Sequence, residues 1–556
     1  MEDHPAVSAA HPEGDPELGG TAPPAVDERR LLPAVALDAG ISALVGGVLI
    51  RLGADTIADP DLWGHVRFGQ LATRIGGVSL VDPYSYLTTG HTWINHEWLT
   101  EVIFGRLWDH FHTPGLVALK SMMVLLVLGL VFVHLWRSGL GTVRGALLTL
   151  LFGVPTLLGL GTIRPQMFTY LFFVVTLLLI EAAEEGELRW LWLVPVVFAA
   201  WVNLHGGVLA GVAVLGLWIA TTVLSWGRDR WKHRGSDGEP EGPGGGPGRR
   251  GLLFIMAIGV AALAALLVNP YGLRLPLFLL HTATGARPDI SEWRHLAIES
   301  RLGGVWLAYV LFAGWTLWRS PRRPRPAILA LLFVLTLLPL SATRHLPLYA
   351  LAVPILLARD LGALRARRDA RAEARGRRET GRGRALALGL VAGLVGVFAV
   401  VQSLPDFRCI PLAPDRGIPY PARAVGLLER SGVGGDLAVY FDWGEYALWH
   451  LSPRLRVGMD GRRETVYPDS VYDAYLHWQN GTDDWDRFTR MGSPDLALVS
   501  RKRPVFNLLS LDPKWVEAYG DSLAGLFGRV GSRALEQVRS TPPPDLPVDG
   551  EGLCFP

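Results

Sequence analysis

Eleven apolar stretches, each close to the length that crosses a hydrocarbon core, dominate this chain and leave it few folds outside a membrane. They lie near 33–52, 115–136, 145–161, 166–182, 190–204, 207–226, 251–268, 303–318, 326–341, 345–358 and 385–403. Half of the 556 residues are hydrophobic and only 19% are charged, a balance too apolar for an ordinary soluble protein of this length. The net charge of +2 says little, because Lys and Arg are gathered in a few short loops. Their placement reads topology, not nucleic acid. Residues 1–32 are polar and read as a disordered cytoplasmic N-terminus, so the first apolar stretch is expected to stay as an anchor and not to be cleaved as a signal peptide.

Short loops rich in Arg and Lys stay in the cytoplasm. With a cytoplasmic N-terminus, the inner connections become "WRSGLGTVR", "EAAEEGELR", the segment around "GRDRWKHR", "RSPRRPRP" and "RDLGALRARRDARAEARGRRETGRGR". Four of these five are basic. The outer connections then hold "DPDLWGH" through "NHEWLTE", "TIRPQ", "NLHGG", "NPYGLR" through "DISEWRH", "SATRH", and everything after Val401. This pattern predicts a multi-pass membrane protein with a transmembrane domain over 33–403, a long first outer loop at 53–114, and a disordered cytoplasmic linker at 235–250. Residues 404–556 read as an extracytoplasmic α/β domain, with short strands in "DLAVYF", "RLRVGM" and "LALVS" and helices in "ARAVGLLERSG" and "SVYDAYLHWQ". Cys409 and Cys554 stand at its two ends, either joined or as two buried thiols.

The first outer loop is too long to be a mere connector. It carries Asp59, Asp61, His65, Arg67 and Asp82, then His96, Glu97 and Glu101. "LWGHVRFGQLATRI" and "HEWLTEVIFGRLWDHF" have the apolar spacing of interfacial helices. A carboxylate such as Asp61 can bind a divalent cation through hard oxygen, accept a proton from a nucleophile, or cap the helix that starts at Leu62. "HEWLT" is not the H-E-x-x-H pattern of a zinc protease, because position 100 is Thr. Glu97 and Glu101 are one turn apart, as functional groups or as the wet side of the helix, the latter fitting Glu101 better. Arg164, His205, Arg344 and His345 all fall at outer ends of spans, where ionisable groups face a cavity or a partner. Arginine is suited to gripping phosphate.

These features resemble the C-type membrane glycosyltransferase superfamily (GT-C), whose members use lipid-linked sugars at the non-cytoplasmic face. The motif order is similar to that of oligosaccharyltransferase catalytic subunits, which carry a first-loop Asp, a later-loop Glu in an "SE" motif and a C-terminal "WWDYG" motif. The matching positions are Asp61 or Asp59, Glu292 in "ISEW", and Asp442 and Trp443 in "FDWGEY". "TIRPQ" lacks the acidic pair that helps hold the metal in that family. "DPDxWxH", "HEW", "RPQ", "NxHGG" and "NPYG" look most like a group of uncharacterised bacterial multi-span glycosyltransferases.

What the resemblance implies is a polytopic α-helical, GT-C-like protein that moves a sugar from a polyprenyl-phosphate donor to a glycan, lipid or protein acceptor. Asp61, Asp59, Glu97 and Glu292 are the expected catalytic residues. His65, His96, Arg164, His205, Arg344, His345, Asp442 and Trp443 are the expected substrate contacts, and a divalent cation, magnesium or manganese, is the cofactor the carboxylates would suit. The rival readings are a transporter or flippase for a lipid-linked or anionic substrate, which would use the same arginines without breaking bonds, and a non-catalytic assembly protein. Inverted repeats and midplane sites mark transporters, whereas here the polar motifs gather at one face. The enzyme reading requires Asp61, Glu292 and at least one of Arg164 and Arg344 to line one outer-leaflet cavity open to lipid.

Overall fold

A computed structural model describes residues 28–232, 248–285, 291–373 and 382–556. The N-terminal segment to residue 27 and the linker from 235 to 247 lie outside the described residues. Each of the eleven apolar stretches falls on a helix. Among the described residues, six helices are long and apolar enough to cross a membrane: Val35–Ala54, Trp98–Leu140, Thr142–Leu160, Gln166–Glu184, Val208–Trp231 and Gly383–Phe407. A bent pair, Thr343–Leu356 with Ala358–Ala372, makes a seventh when taken together. Leu188–Leu204 and Pro326–Ser341 are apolar but shorter. The count of eleven is thus not reached by length and composition. Apolar side chains such as Leu147, Val260, Leu311 and Leu394 stand more than 60% exposed on these helices, a costly arrangement in water and an ordinary one against hydrocarbon.

Four helices frame the end of the bundle where the polar motifs lie. α1 (Glu28–Ala54) ends just before "DPD", and α2 (Leu62–Ile75) begins just after it and stops at Gly76, whose φ of 68° permits a left-handed cap. α3 (Trp98–Leu135) merges the expected interfacial helix with the span that follows, broken only at His112, with φ 51°, ahead of Pro114. α4 (Thr142–Gly153) leads into the turn that carries "TIRPQ". Lys120, buried in α3, donates to the carbonyls of Asp55 (2.7 Å) and Gly161 (2.8 Å). One ammonium therefore ties down the two chain segments that go on to deliver Asp59 and Arg164.

Beyond the helices the chain folds into a five-stranded sheet of order β2-β1-β3-β5-β4. β1 (Gly435–Val439) runs parallel to β2 (Leu455–Val457) and β3 (Leu496–Ser500). β5 (Ala524–Arg529) is antiparallel to β3, and β4 (Trp515–Gly520) is antiparallel to β5. Helices Gly444–Leu451 and Asp469–Asn480 lie between the parallel strands in sequence, as parallel pairing demands. Parallel sheets present their functional loops beyond the carboxyl ends of the strands. Here those loops are "YFDWGEY" after β1 and "GMDGRR" after β2.

The segment that leads from α1 through α2 to α3 is the joint between helices and sheet. Tyr86 N–H donates to Val457 O at 3.2 Å and Ala58 N–H to Pro411 O at 3.0 Å. The ring of Trp63 packs among Tyr420, Tyr446 and Phe555 at 4.6 to 5.2 Å. Arg462 is buried, bridging Asp82 and Asp460 at 2.6 Å each beneath the rings of Phe68, Tyr84 and Trp93. A buried cation is tolerable because both carboxylates are in place; breaking such a set by removing one partner costs about 3–5 kcal/mol. Cys409 and Cys554 are joined as a disulfide.

Candidate active site

The turn between α1 and α2 holds Asp59 buried and Asp61 partly open, and Arg164 reaches both from "TIRPQ". Arg164 Nε donates to Asp59 Oδ1 at 2.9 Å and Nη2 to Asp61 Oδ2 at 2.5 Å. Glu292 stands between two guanidinium groups, 3.9 Å from Arg164 Nη1 and 3.9 Å from Arg344 Nη1. Arg344 in turn lies over the ring of Trp293, 4.3 Å from its centroid. Asp59, Asp61, Arg164, Glu292 and Arg344 thus form one unbroken chain of charge. Burial raises the Asp59 carboxyl against the pull of Arg164. Burial also opposes the charge on Arg164, but Asp59, Asp61 and Glu292 more than restore it and hold the guanidinium firmly ionised.

A second group lies behind the first. His65 Nδ1 is 3.3 Å from Glu101 Oε1 and 4.0 Å from Glu97 Oε2. Asn95 Nδ2 donates to Glu101 Oε2, and Glu97 Oε1 faces His96 Nε2 at 3.5 Å and His205 Nε2 at 3.3 Å. Burial works to lower His65, but the hydrogen bond with Glu101 and the charges of Glu97 and Glu101 lift it to about 9. It is therefore a cation at neutral pH. Burial pushes His205 down to about 3, so that ring is neutral. Gly207 N–H and the Thr169 hydroxyl both point at its Nδ1, at 2.9 and 2.8 Å, which leaves the ring proton on Nε2, facing Glu97. Burial works to raise Glu97, yet His96, His65 and Arg164 pull it below its usual range.

Three expectations are corrected. Asp61 occupies the N-cap position of α2 but makes no side-chain capping bond. The acceptor for that helix's open amides is Glu445, whose Oε2 takes the Gly64 N–H at 2.9 Å. Glu101 is not the wet face of its helix: it is 4% exposed, because α3 turns that side against α2. Trp443 is 1% exposed, its Nε1 donating to Pro419 O and its ring packed on Tyr440, so it builds the domain core and does not face an open site.

Asp442 lies beside Tyr440, whose hydroxyl accepts from Arg503 Nη2 at 3.0 Å, and burial raises its carboxyl, with Asp59 adding to the effect from across the joint. His345 caps a helix end, its Nδ1 at 3.1 Å from Leu338 O. Glu445 was not among the residues singled out in the sequence, since one Glu in a short helix carries no signal of its own.

For a cation, the carboxylates of Asp59 and Asp61 are already engaged by Arg164, so the site expected for magnesium or manganese is filled by a guanidinium. His65, Glu97 and Glu101 could together offer donor atoms within 4.8 Å of one another. Of these, His65 and Glu101 are already hydrogen-bonded to one another, and Glu101 also accepts from Asn95, while Glu97 Oε2 stands 4.0 Å from His65.

The fold has a likeness among solved structures. It matches the oligosaccharyltransferase of Archaeoglobus fulgidus tethered through a disulfide to an acceptor peptide bearing the NVT sequon, over 83% of this chain and 69% of that one, with a TM-score of 0.50 and 12% identity. ArnT from Cupriavidus metallidurans bound to undecaprenyl phosphate is similar over 91% of this chain and 99% of its own, with a TM-score of 0.48 and 14% identity. No family model and no curated protein matches the sequence.

Proposed function

We propose that this protein is a glycosyltransferase of a bacterial plasma membrane that moves a sugar from a polyprenyl-phosphate-linked donor to an acceptor hydroxyl at the non-cytoplasmic face. The observation that carries the reading is the continuous contact chain Asp61, Arg164, Glu292, Arg344 at the membrane end of the first outer loop. Arg164 and Arg344 flank Glu292 at 3.9 Å, longer than a hydrogen bond, so Glu292 does not tie up the donors through which either guanidinium would grip a phosphate. In the transfer, the acceptor oxygen attacks the anomeric carbon, the bond from that carbon to the phosphate oxygen breaks, and polyprenyl phosphate departs with the electron pair. The arginines offset the charge that grows on the leaving phosphate. Asp61 orients the acceptor and takes its proton, while Glu97, held ionised by its neighbours, steadies His65, His96 and His205 behind it. Asp442, from the sheet domain, meets the acceptor. The disulfide supports an oxidising, extracytoplasmic location for that domain.

The test is turnover of a polyprenyl-phosphate sugar by purified protein and by Asp61→Asn. Loss of a general base lowers the rate by about 10²–10⁴-fold, and a fall in that range is expected with the fold intact by thermal unfolding. Unchanged transfer would remove Asp61 from the chemistry. Absence of transfer with every donor, together with retained binding of the lipid phosphate, would turn the reading to a transporter or an assembly protein.

A further inference from the structure

Glu445 leaves the sheet domain one turn after β1 and buries its carboxyl, 4% exposed, against the first outer loop. Three contacts define its place. Its Oε2 accepts the Gly64 N–H at 2.9 Å. A Cβ added to Gly64 would lie 2.1 Å from that same oxygen, so the close approach needs a glycine there. A Cβ on Gly461 would lie 2.5 Å from Asp61 Oδ1 and 2.7 Å from Glu445 Oε1, so the two carboxyl oxygens crowd one face of Gly461. Asp61, for its part, has Oδ2 on Arg164 and no side-chain bond to its own helix.

We propose that Glu445 is a positioning residue for Asp61, supplying from the sheet domain the cap that the N-terminus of α2 lacks and fixing where the Asp61 carboxylate points. The proposal rests on the glycosyltransferase reading for its functional consequence, but not for its structural one. A helix start leaves its first amides open, and an acceptor placed there orders the turn that precedes it. That turn is "DPD". Because the acceptor comes from the other side of the joint, the geometry of Asp61 depends on the sheet domain being docked.

The chemistry of the surroundings favours a neutral carboxyl. Burial first, then Asp61 from the first loop, Asp460 from the segment after β2 and Glu101 from α3, push Glu445 well above the usual carboxylate range, against Arg462 alone. A protonated acid accepts the Gly64 N–H and still has an O–H to offer on the side where Asp61 Oδ1 lies. A neutral amide of the same shape reproduces both features.

The experiment compares the purified full-length protein with Glu445→Gln and Glu445→Ala by hydrogen exchange at residues 59–66 and by donor transfer. Glu445→Ala is expected to speed exchange at 61–66 at least tenfold, and to lower kcat at least tenfold while the donor KM moves less than threefold. Glu445→Gln is expected to match the unsubstituted protein in both. Exchange at 61–66 that does not change in Glu445→Ala overturns the proposal, as does equal damage by Gln and Ala. Should Glu445→Ala fail to fold, Gly64→Ala serves instead. Alanine favours a helix over glycine, so slower turnover there isolates the push on Glu445, and unchanged turnover overturns the proposal. Absence of transfer in the unsubstituted protein would sink the glycosyltransferase reading and leave the exchange result to decide the positioning role.

Discussion

Arg164 meets its aspartates through different nitrogens, Nε to Asp59 and Nη2 to Asp61, and only a planar fork can do this. Arg164→Lys keeps the charge and loses one of the two bonds. We expect it to reduce kcat/KM by at least tenfold, and Arg164→Ala to destabilise the fold further by about 3–5 kcal/mol, since it strands the carboxylate of buried Asp59. Donor kinetics and thermal unfolding check the two parts separately. His65 makes a prediction of its own. Its folded pKa of about 9 stands above its ordinary 6.5, so the stability it lends is complete below pH 6.5 and is lost as pH rises through 9. The loss is on the order of 3 kcal/mol at one pKa unit per 1.4 kcal/mol. Melting temperatures measured from pH 6 to 10 should fall across that window, and His65→Gln should flatten the fall while lowering the plateau. Asp59, Asp61, Arg164 and Arg344 stood out in the sequence because charge beside an apolar span demands a partner, and Glu292 because "ISEW" resembles an oligosaccharyltransferase motif. Glu445 and the burial of Glu101 were not, because helical spacing names the residues that share a face without saying what covers that face.

At the scale of elements, "LWGHVRFGQLATRI" announced α2 residue for residue, and three strands and two helices of the sheet domain fell where alternation and periodicity put them. The helix count was harder to read, because composition does not separate a full span from a short buried helix such as Pro326–Ser341 or a bent pair. The strands β4 and β5, and the sheet order, depend on pairing between distant segments, which no local pattern carries. Nor did the sequence disclose the work of Lys120. Its ammonium closes the C-terminal end of α1 and the turn at Gly161 together. Lys120→Met leaves two carbonyls without that donor, each at a cost of about 1–3 kcal/mol. The expected outcome is a loss of about 2–4 kcal/mol in unfolding experiments, with faster hydrogen exchange confined to residues 55–61 and 161–165. Faster exchange spread evenly over the molecule would mean that the lysine serves general packing instead.

For the whole molecule, the question is what keeps the sheet domain seated on the helices. The chain answers with its own end. Phe555 N–H bonds Ile410 O, Pro411 pairs with Cys554, and Pro411 O receives the N–H of Ala58, the residue before Asp59. Phe555 also lays its ring on Trp63 and Trp108. The Cys409–Cys554 disulfide therefore fastens a strap whose other side is the turn that carries the site, and it closes a loop with a sequence separation of 145 residues. Restricting a loop of that size in the unfolded chain stabilises the fold by up to about 5 kcal/mol. Cys409→Ser with Cys554→Ser should lower the melting temperature and, by releasing Phe555 from Trp63, raise the exposure of Trp63 to a soluble fluorescence quencher. Because the strap leads to Ala58, the same variant should lose transfer activity at temperatures well below its own melting point. If activity and melting fell together, the disulfide would serve stability alone; activity lost first would mean that docking of the sheet domain sets the geometry of Asp61.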